Sequence, residues 1–124
     1  MKLSTSGLLF VVISTLTGVA GQLFLKRGTL STAVALDLSH PIQTFVSLIT
    51  NGYILGWIAM AVISTLTWVL VVSKFELSYA YPVVMTVSFV LILVLSQWLF
   101  GETLTATRLI GVALMIAGII VAST

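Results

Sequence analysis

The chain has no cysteine, two prolines, a single histidine, five basic residues and three acidic ones in 124 positions. Without cysteine it holds neither a disulfide nor a thiolate-ligated metal. His40 stands alone, and no His/Asp/Glu cluster has metal-ligand spacing. No metal or cofactor is therefore expected, and no residue takes a catalytic role. A phosphate-cradling glycine loop is missing too, so the chain does not hydrolyse nucleotide itself. A net charge of +2, scattered along the sequence, gives no basic patch for nucleic acid. The most telling shortage lies inside the apolar segments, where no Asp, Glu, Lys, Arg or His sits deep. Buried charges usually mark ion and proton relays in membranes.

What is present is apolar. Hydrophobic residues make up 60% of the chain and charged ones 6%, with a mean hydropathy of +1.27. Too little polar surface exists to cover a soluble domain of this size. A spanning helix needs about 20 mostly apolar residues, and four segments qualify: residues 7–25, 52–73, 80–99 and 105–122. They are continuous runs rather than alternating strands, which favours helices over a barrel. The expected fold is all-α, one domain over 1–124, with four transmembrane helices. The first run follows Lys2 and is read as a span rather than a cleaved signal, since three more spans follow it. Lys2 and Lys74 fall on one side, and Lys26, Arg27 and Arg108 on the other. That balance is too even to set orientation.

The first loop, Lys26 to Asn51, is long, and its second half is patterned. Ile42, Phe45, Val46 and Ile49 recur at i, i+3, i+4 and i+7. Ser39 and Pro41 sit where a cap and an early proline belong, and Asn51-Gly52 reads as a break. A short helix at the membrane surface is expected between the first two spans; the competing reading makes this segment a downward extension of the second span. The third span opens with Ser78-Tyr79-Ala80-Tyr81-Pro82, placing Pro82 in the first turn. Thr103 or Thr105 is positioned to cap the fourth helix, with Glu102 near its positive end.

Polar residues inside the spans form stripes. The first span carries Ser14, Gly18, Gln22 and Lys26 at spacing four. Such a stripe must face protein or a water-filled cavity. Gln22 either meets a substrate or hydrogen-bonds another helix, and Lys26 either guards a cavity mouth or snorkels to the interface. The second span carries Gly52, Gly56, Met60, Ser64 and Trp68 in the same rhythm. Ser64 and Trp68 are candidate cavity residues, although aromatics at this spacing more often pack. Trp57 fits an interfacial belt. In the third span Tyr81, Met85 and Ser88 share one face, and Tyr79, Pro82 and Thr86 another. The two tyrosines either anchor the helix or bind a headgroup. In the fourth span Gly111, Gly118 and Ala122 lie on one face and suit close helix pairing at a dimer interface.

Three stretches carry a resemblance: Leu77-Ser78-Tyr79-Ala80-Tyr81-Pro82, Leu99-Phe100-Gly101-Glu102-Thr103-Leu104-Thr105, and the helix from Arg108 through Gly111 to Gly118. Across almost its whole length the chain resembles the drug/metabolite transporter superfamily at its small, four-helix end. The Gly-Glu-x-Leu turn is similar to that of EamA-type domains, and the Gly111/Gly118 pair to the dimer-forming helix of small multidrug resistance proteins. Those multidrug proteins use a glutamate in the first helix. Its counterpart here, eight residues before Lys26, is Gly18, which speaks against proton-coupled drug export. Val19-Ala20-Gly21-Gln22-x3-Lys26 resembles instead the subunits that flip aminoarabinose linked to undecaprenyl phosphate. The resemblance implies a bacterial inner-membrane transporter subunit, not an enzyme, acting as a homodimer or with a paralogous subunit. Its substrate would be a polyprenyl-phosphate-linked sugar. Gln22, Ser14, Gly18, Ser64, Trp68, Tyr79, Tyr81 and Thr86 would line the path, and Lys26 and Arg27 would meet the phosphate. The other readings are a small-cation exporter working through Glu76 or Glu102, and a non-transporting assembly partner.

Overall fold

The structure, a computed structural model, describes residues 5–31 and 38–124; Lys2 and the middle of the first loop lie outside them. The described residues form five helices: α1 Thr5–Ser31, α2 Pro41–Ile49, α3 Gly52–Lys74, α4 Leu77–Phe100 and α5 Ala106–Ala122. α1, α3 and α4 are each long and apolar enough to cross a membrane, and α5 is a shorter apolar helix of 17 residues. In the most apolar stretch of each long helix, at most 22% of residues are buried within the chain. The remaining apolar surface needs a hydrocarbon environment. The chain is a multi-pass membrane protein.

The tightest contact is between α1 and α3. Gly7, Ser14, Gly21 and Gly28 are all buried and stand seven residues apart. Positions seven apart drift only about 20° around a helix, so they make one nearly straight seam. Lipid tails are as apolar as the side chains, so helices associate in a membrane through close packing and interhelical hydrogen bonds. Small residues allow that approach. A Cβ on Gly21 would stand 3.3 Å from the Met60 Cβ, and one on Gly28 would stand 2.7 Å from the Ile54 Cδ1. Gly56 of α3 answers by receiving the Phe24 ring, 3.3 Å from where its own Cβ would be. At the centre, the Ser14 hydroxyl donates to the Ser64 carbonyl (3.3 Å) and the Ser64 hydroxyl to the Ser14 carbonyl (3.0 Å). These pairings run α3 antiparallel to α1.

Asn51 fastens one end of the seam. Its Oδ1 accepts from the Tyr53 N–H at 2.9 Å and caps α3, while its Nδ2 donates to the Ser31 hydroxyl at 2.8 Å. At the other end Val71, Phe75 and Ala80 make a small core with Phe10, Val11 and Trp68 packed on it.

Several boundaries differ from the sequence-based expectation. α1 runs on to Ser31, so Lys26 and Arg27 belong to its last turns rather than to the loop. The apolar run stops at the charges, but nothing there breaks the backbone ladder. α2 is a separate helix, ended at Thr50 and followed by the Asn51 cap, so it does not extend α3. Its N-cap is His40, without a side-chain cap hydrogen bond, and Pro41 takes N1; the Ser39 hydroxyl contacts the His40 ring at 3.0 Å. α4 starts at Leu77, which puts Pro82 in the second turn and not the first. Lacking an N–H, Pro82 leaves the Ser78 carbonyl without its helical donor. Gly101 ends α4 at φ 66°, where glycine is unstrained, and its N–H bonds to the Gln97 carbonyl. Thr105, not Thr103, caps α5, accepting from the Arg108 N–H at 3.3 Å.

α5 is the loosest element. None of its residues is buried, and its main contact is with α4.

Candidate functional site

A groove of about 390 Å³ lies between α1, α3 and α4, within the range of small-molecule sites. α1 contributes Ser14, Gly18, Val19 and Gln22, and α3 contributes Ser64, Thr65 and Trp68. α4 adds Tyr81, Val84, Met85, Ser88 and Ile92. Helical geometry explains the grouping. Ser14, Gly18 and Gln22 are one turn apart, and Tyr81, Met85, Ser88 and Ile92 follow i, i+4, i+7, i+11.

The polar groups in the groove differ from several other hydroxyls of α1 and α3. Thr15, Thr17 and Thr67 each return their hydroxyl to the carbonyl four residues back, at 2.7–2.8 Å. Such back-bonding satisfies a hydroxyl within its own helix. Ser14 and Ser64 have donated their protons across the seam and keep only acceptor capacity towards the groove. Gln22, Thr65, Tyr81 and Ser88 make no side-chain hydrogen bond among the described residues, and all four line the groove. Unsatisfied amides and hydroxyls are costly in hydrocarbon, so this set needs water or a polar ligand. The Trp68 and Tyr81 rings meet edge to face, with centroids 5.9 Å apart. Beyond them the space widens over Leu77, Ser78 and Pro82 toward the α3–α4 loop.

The groove thus gathers Ser14, Gly18, Gln22, Ser64, Trp68 and Tyr81 from the candidates drawn from the sequence. Gln22 is exposed to it rather than buried in a helix contact. Gly18 packs on α3: a Cβ there would stand 3.2 Å from the Ser64 hydroxyl oxygen. Thr65, Ser88, Val84 and Ile92 were not singled out as cavity residues. The α4 members were signalled by the face that Tyr81, Met85 and Ser88 share. Thr65 carried no signal, because adjacent helical residues point about 100° apart.

Four candidates lie elsewhere. Tyr79 is half-buried in the first turn of α4 and outside the groove lining. Thr86 is buried on the side facing α5, beside Gly118 and Ala122. Those two small residues therefore line a shallow gap against α4, and a Cβ on Gly118 would meet nothing within 4 Å. Gly111 is half-buried, with equal room above it.

Lys26 and Arg27 occupy the opposite end of the seam from Trp68. The Lys26 Nζ is 3.8 Å from the Glu102 carboxylate, and the Arg27 guanidinium lies 5.9 Å from the Phe100 ring centroid. Glu102, three residues before the Thr105 cap of α5, therefore pairs with α1. Arg27 borders a second, mainly apolar cavity of about 310 Å³ with Phe24, Tyr53 and Leu99. Trp57, expected in an interfacial belt, packs beside Gly21, whereas Trp98 is 86% exposed.

No family model and no solved structure matches the chain. Curated relatives do. A protein of Serratia proteamaculans, named "Probable 4-amino-4-deoxy-L-arabinose-phosphoundecaprenol flippase subunit ArnE", is 32% identical over 94% of this chain and 95% of its own length. A protein of Yersinia pseudotuberculosis with the same name is 37% identical over 56% of this chain and 63% of its own length. An uncharacterised protein of Sinorhizobium fredii is 29% identical over 91% of each. The chain belongs to the ArnE family of flippase subunits, which are membrane transport proteins and not enzymes.

Proposed function

We propose that this chain is one subunit of a flippase in the bacterial inner membrane, and that it moves a polyprenyl-phosphate-linked sugar. The polar headgroup would travel along the groove between α1, α3 and α4 while the polyprenyl chain stays in lipid. The observation carrying this reading is the convergence of Gln22, Thr65, Tyr81 and Ser88, uncommitted within the chain, from three different helices on one groove. Their hydrogen-bonding capacity replaces the water that a headgroup sheds. The substrate named for the ArnE relatives supports the lipid-linked class.

In this reading α5 is the fourth span. Its 17 residues rise about 26 Å at 1.5 Å each, at the short end of what a bilayer core of about 30 Å needs. Its unburied surface, with Gly111, Gly118 and Ala122, is where a second copy or a paralogous subunit would pack. Four helices are then half of a two-fold transporter.

The test is translocation of a short-chain polyprenyl-phosphate pentose in proteoliposomes holding the full chain and any subunit that co-purifies. Gln22→Ala and Thr65→Val should each slow transfer while the protein stays folded. Unchanged rates in both variants would remove the groove from the path.

A further inference from the structure

The second cavity, of about 310 Å³, lies apart from the groove and joins one cation to an apolar wall. We propose that it holds an anionic phospholipid, with the phosphate on Arg27 and the first methylenes of one acyl chain in the cavity. This goes beyond the flippase reading and does not depend on it.

Ala20, Leu23, Phe24 and Arg27 recur at i, i+3, i+4 and i+7, so one face of α1 supplies most of the lining. Tyr53 of α3 and Phe100 of α4 help to close it. The resemblance drawn from the sequence gave Arg27 to the substrate's phosphate, but this cavity and the groove share no lining residue. Arg27 is five residues beyond Gln22, which places it about 140° around α1. The cavity therefore opens on another face of the helix.

Three cations stand near this end, and two are engaged. Lys26 is paired with Glu102 at 3.8 Å, and the Arg108 guanidinium donates to the Thr103 carbonyl at 3.2 Å. Arg27 has no carboxylate within ion-pair distance among the described residues. Its guanidinium rests 5.9 Å from the centroid of the Phe100 ring, at the cavity's edge. A guanidinium presents a planar fork of donors that fits two phosphate oxygens. The Tyr53 hydroxyl, which makes no side-chain hydrogen bond among the described residues, adds a donor at the same cavity.

The headgroup decides which lipid is held. Lipid tails are as apolar as Leu23 and Phe24, so seating a chain here gains little over leaving it in the bilayer. A zwitterionic lipid brings a cation with its phosphate, and the carboxylate described at this end, Glu102, is already held by Lys26. An anionic headgroup needs no such partner. Arg27 is expected to contribute about fivefold in affinity, the equivalent of the roughly 1 kcal/mol that a basic side chain at a membrane surface gives toward anionic lipid.

The experiment is native mass spectrometry of the full chain titrated with phosphatidylglycerol or phosphatidylcholine. Dissociation constants are compared for the wild type, Arg27→Gln and Arg108→Gln. Both variants lose one positive charge at the same end, but only Arg27 lines the cavity. The wild type is expected to prefer phosphatidylglycerol. Arg27→Gln should weaken its binding about fivefold, and Arg108→Gln less than twofold. Equal losses would mean diffuse attraction to a basic surface and overturn the proposal, as would a wild type without the preference. Ala20→Leu fills the cavity and keeps the charge, so it should weaken binding too; unchanged binding would put the acyl chain elsewhere and overturn the proposal. Glycerol 3-phosphate, the tail-free probe, should not compete at millimolar concentration. If it does, the site takes free phosphate and the lipid assignment fails.

Discussion

Two surfaces of this chain are rich in small residues, and they differ in what lies above them. Along α1, Gly7, Ser14, Gly21 and Gly28 are buried, and added side chains at Gly21 and Gly28 would strike α3 at 3.3 and 2.7 Å. Along α5, Gly111 and Gly118 face open space, and no residue of the helix is buried. The first surface is a finished interface within the chain; the second is free in the single chain. In a membrane, where burial drives little association between helices, small residues make an interface only where a second backbone comes close enough to use them.

The contrast breaks most sharply at the glycines. Gly28→Leu should destabilise the chain by about 1–3 kcal/mol, as overpacking does, seen as a lower thermal midpoint in detergent. Gly118→Leu should stay within about 0.5 kcal/mol in the isolated subunit, as open surface sites do. Equal losses at both sites would erase the distinction. Gly118→Leu has a second readout: if α5 is the pairing surface, it should lower the dimer fraction in cross-linking without moving the thermal midpoint.

A smaller loss is expected from Asn51→Ala, which removes the cap of α3 and its bond to Ser31 together. Cap removal alone is worth about 1 kcal/mol. Hydrogen exchange should rise first at residues 28–31 and 52–55; protection unchanged there would mean that Asn51 fastens nothing. Ser14→Ala and Ser64→Ala should each cost about 0.6 kcal/mol, typical of a hydrogen bond between membrane helices. The smallest effect belongs to Lys26→Met or Glu102→Gln. Their pair is half-exposed and worth about 0.2–1 kcal/mol, less at high salt. A double-mutant cycle gives the coupling, and a value well above that range would mean the pair is shielded from water.

Much of this was legible in the sequence. The three long helices follow from apolar length, and the α5 start from the Thr103/Thr105 pair, of which Thr105 is the cap. Of the ten site candidates, drawn from helical spacing and the family resemblance together, six line the groove. The rest was lost for identifiable reasons. A stripe at spacing four, Ser14-Gly18-Gln22-Lys26, was conspicuous because its residues are polar. The seam at spacing seven is made mostly of glycine, and only the partner helix reveals that those positions are used. Lys26 looked like a cavity cation because its mate, Glu102, is 76 residues away in sequence and shares no helix with it. Thr86 shares a helix with Tyr81, but five residues turn it about 140° away, toward α5.

The most direct measurement is native mass spectrometry of the protein released from its own membrane. The wild-type chain should be compared with the combined variant Gln22→Ala, Thr65→Val, Ser88→Ala. The expected result is a polyprenyl-phosphate sugar retained on the wild type and lost from the variant, with helicity and thermal midpoint alike in both. Retention of the same lipid by the folded variant would contradict the account, because the headgroup would then bind somewhere other than this groove.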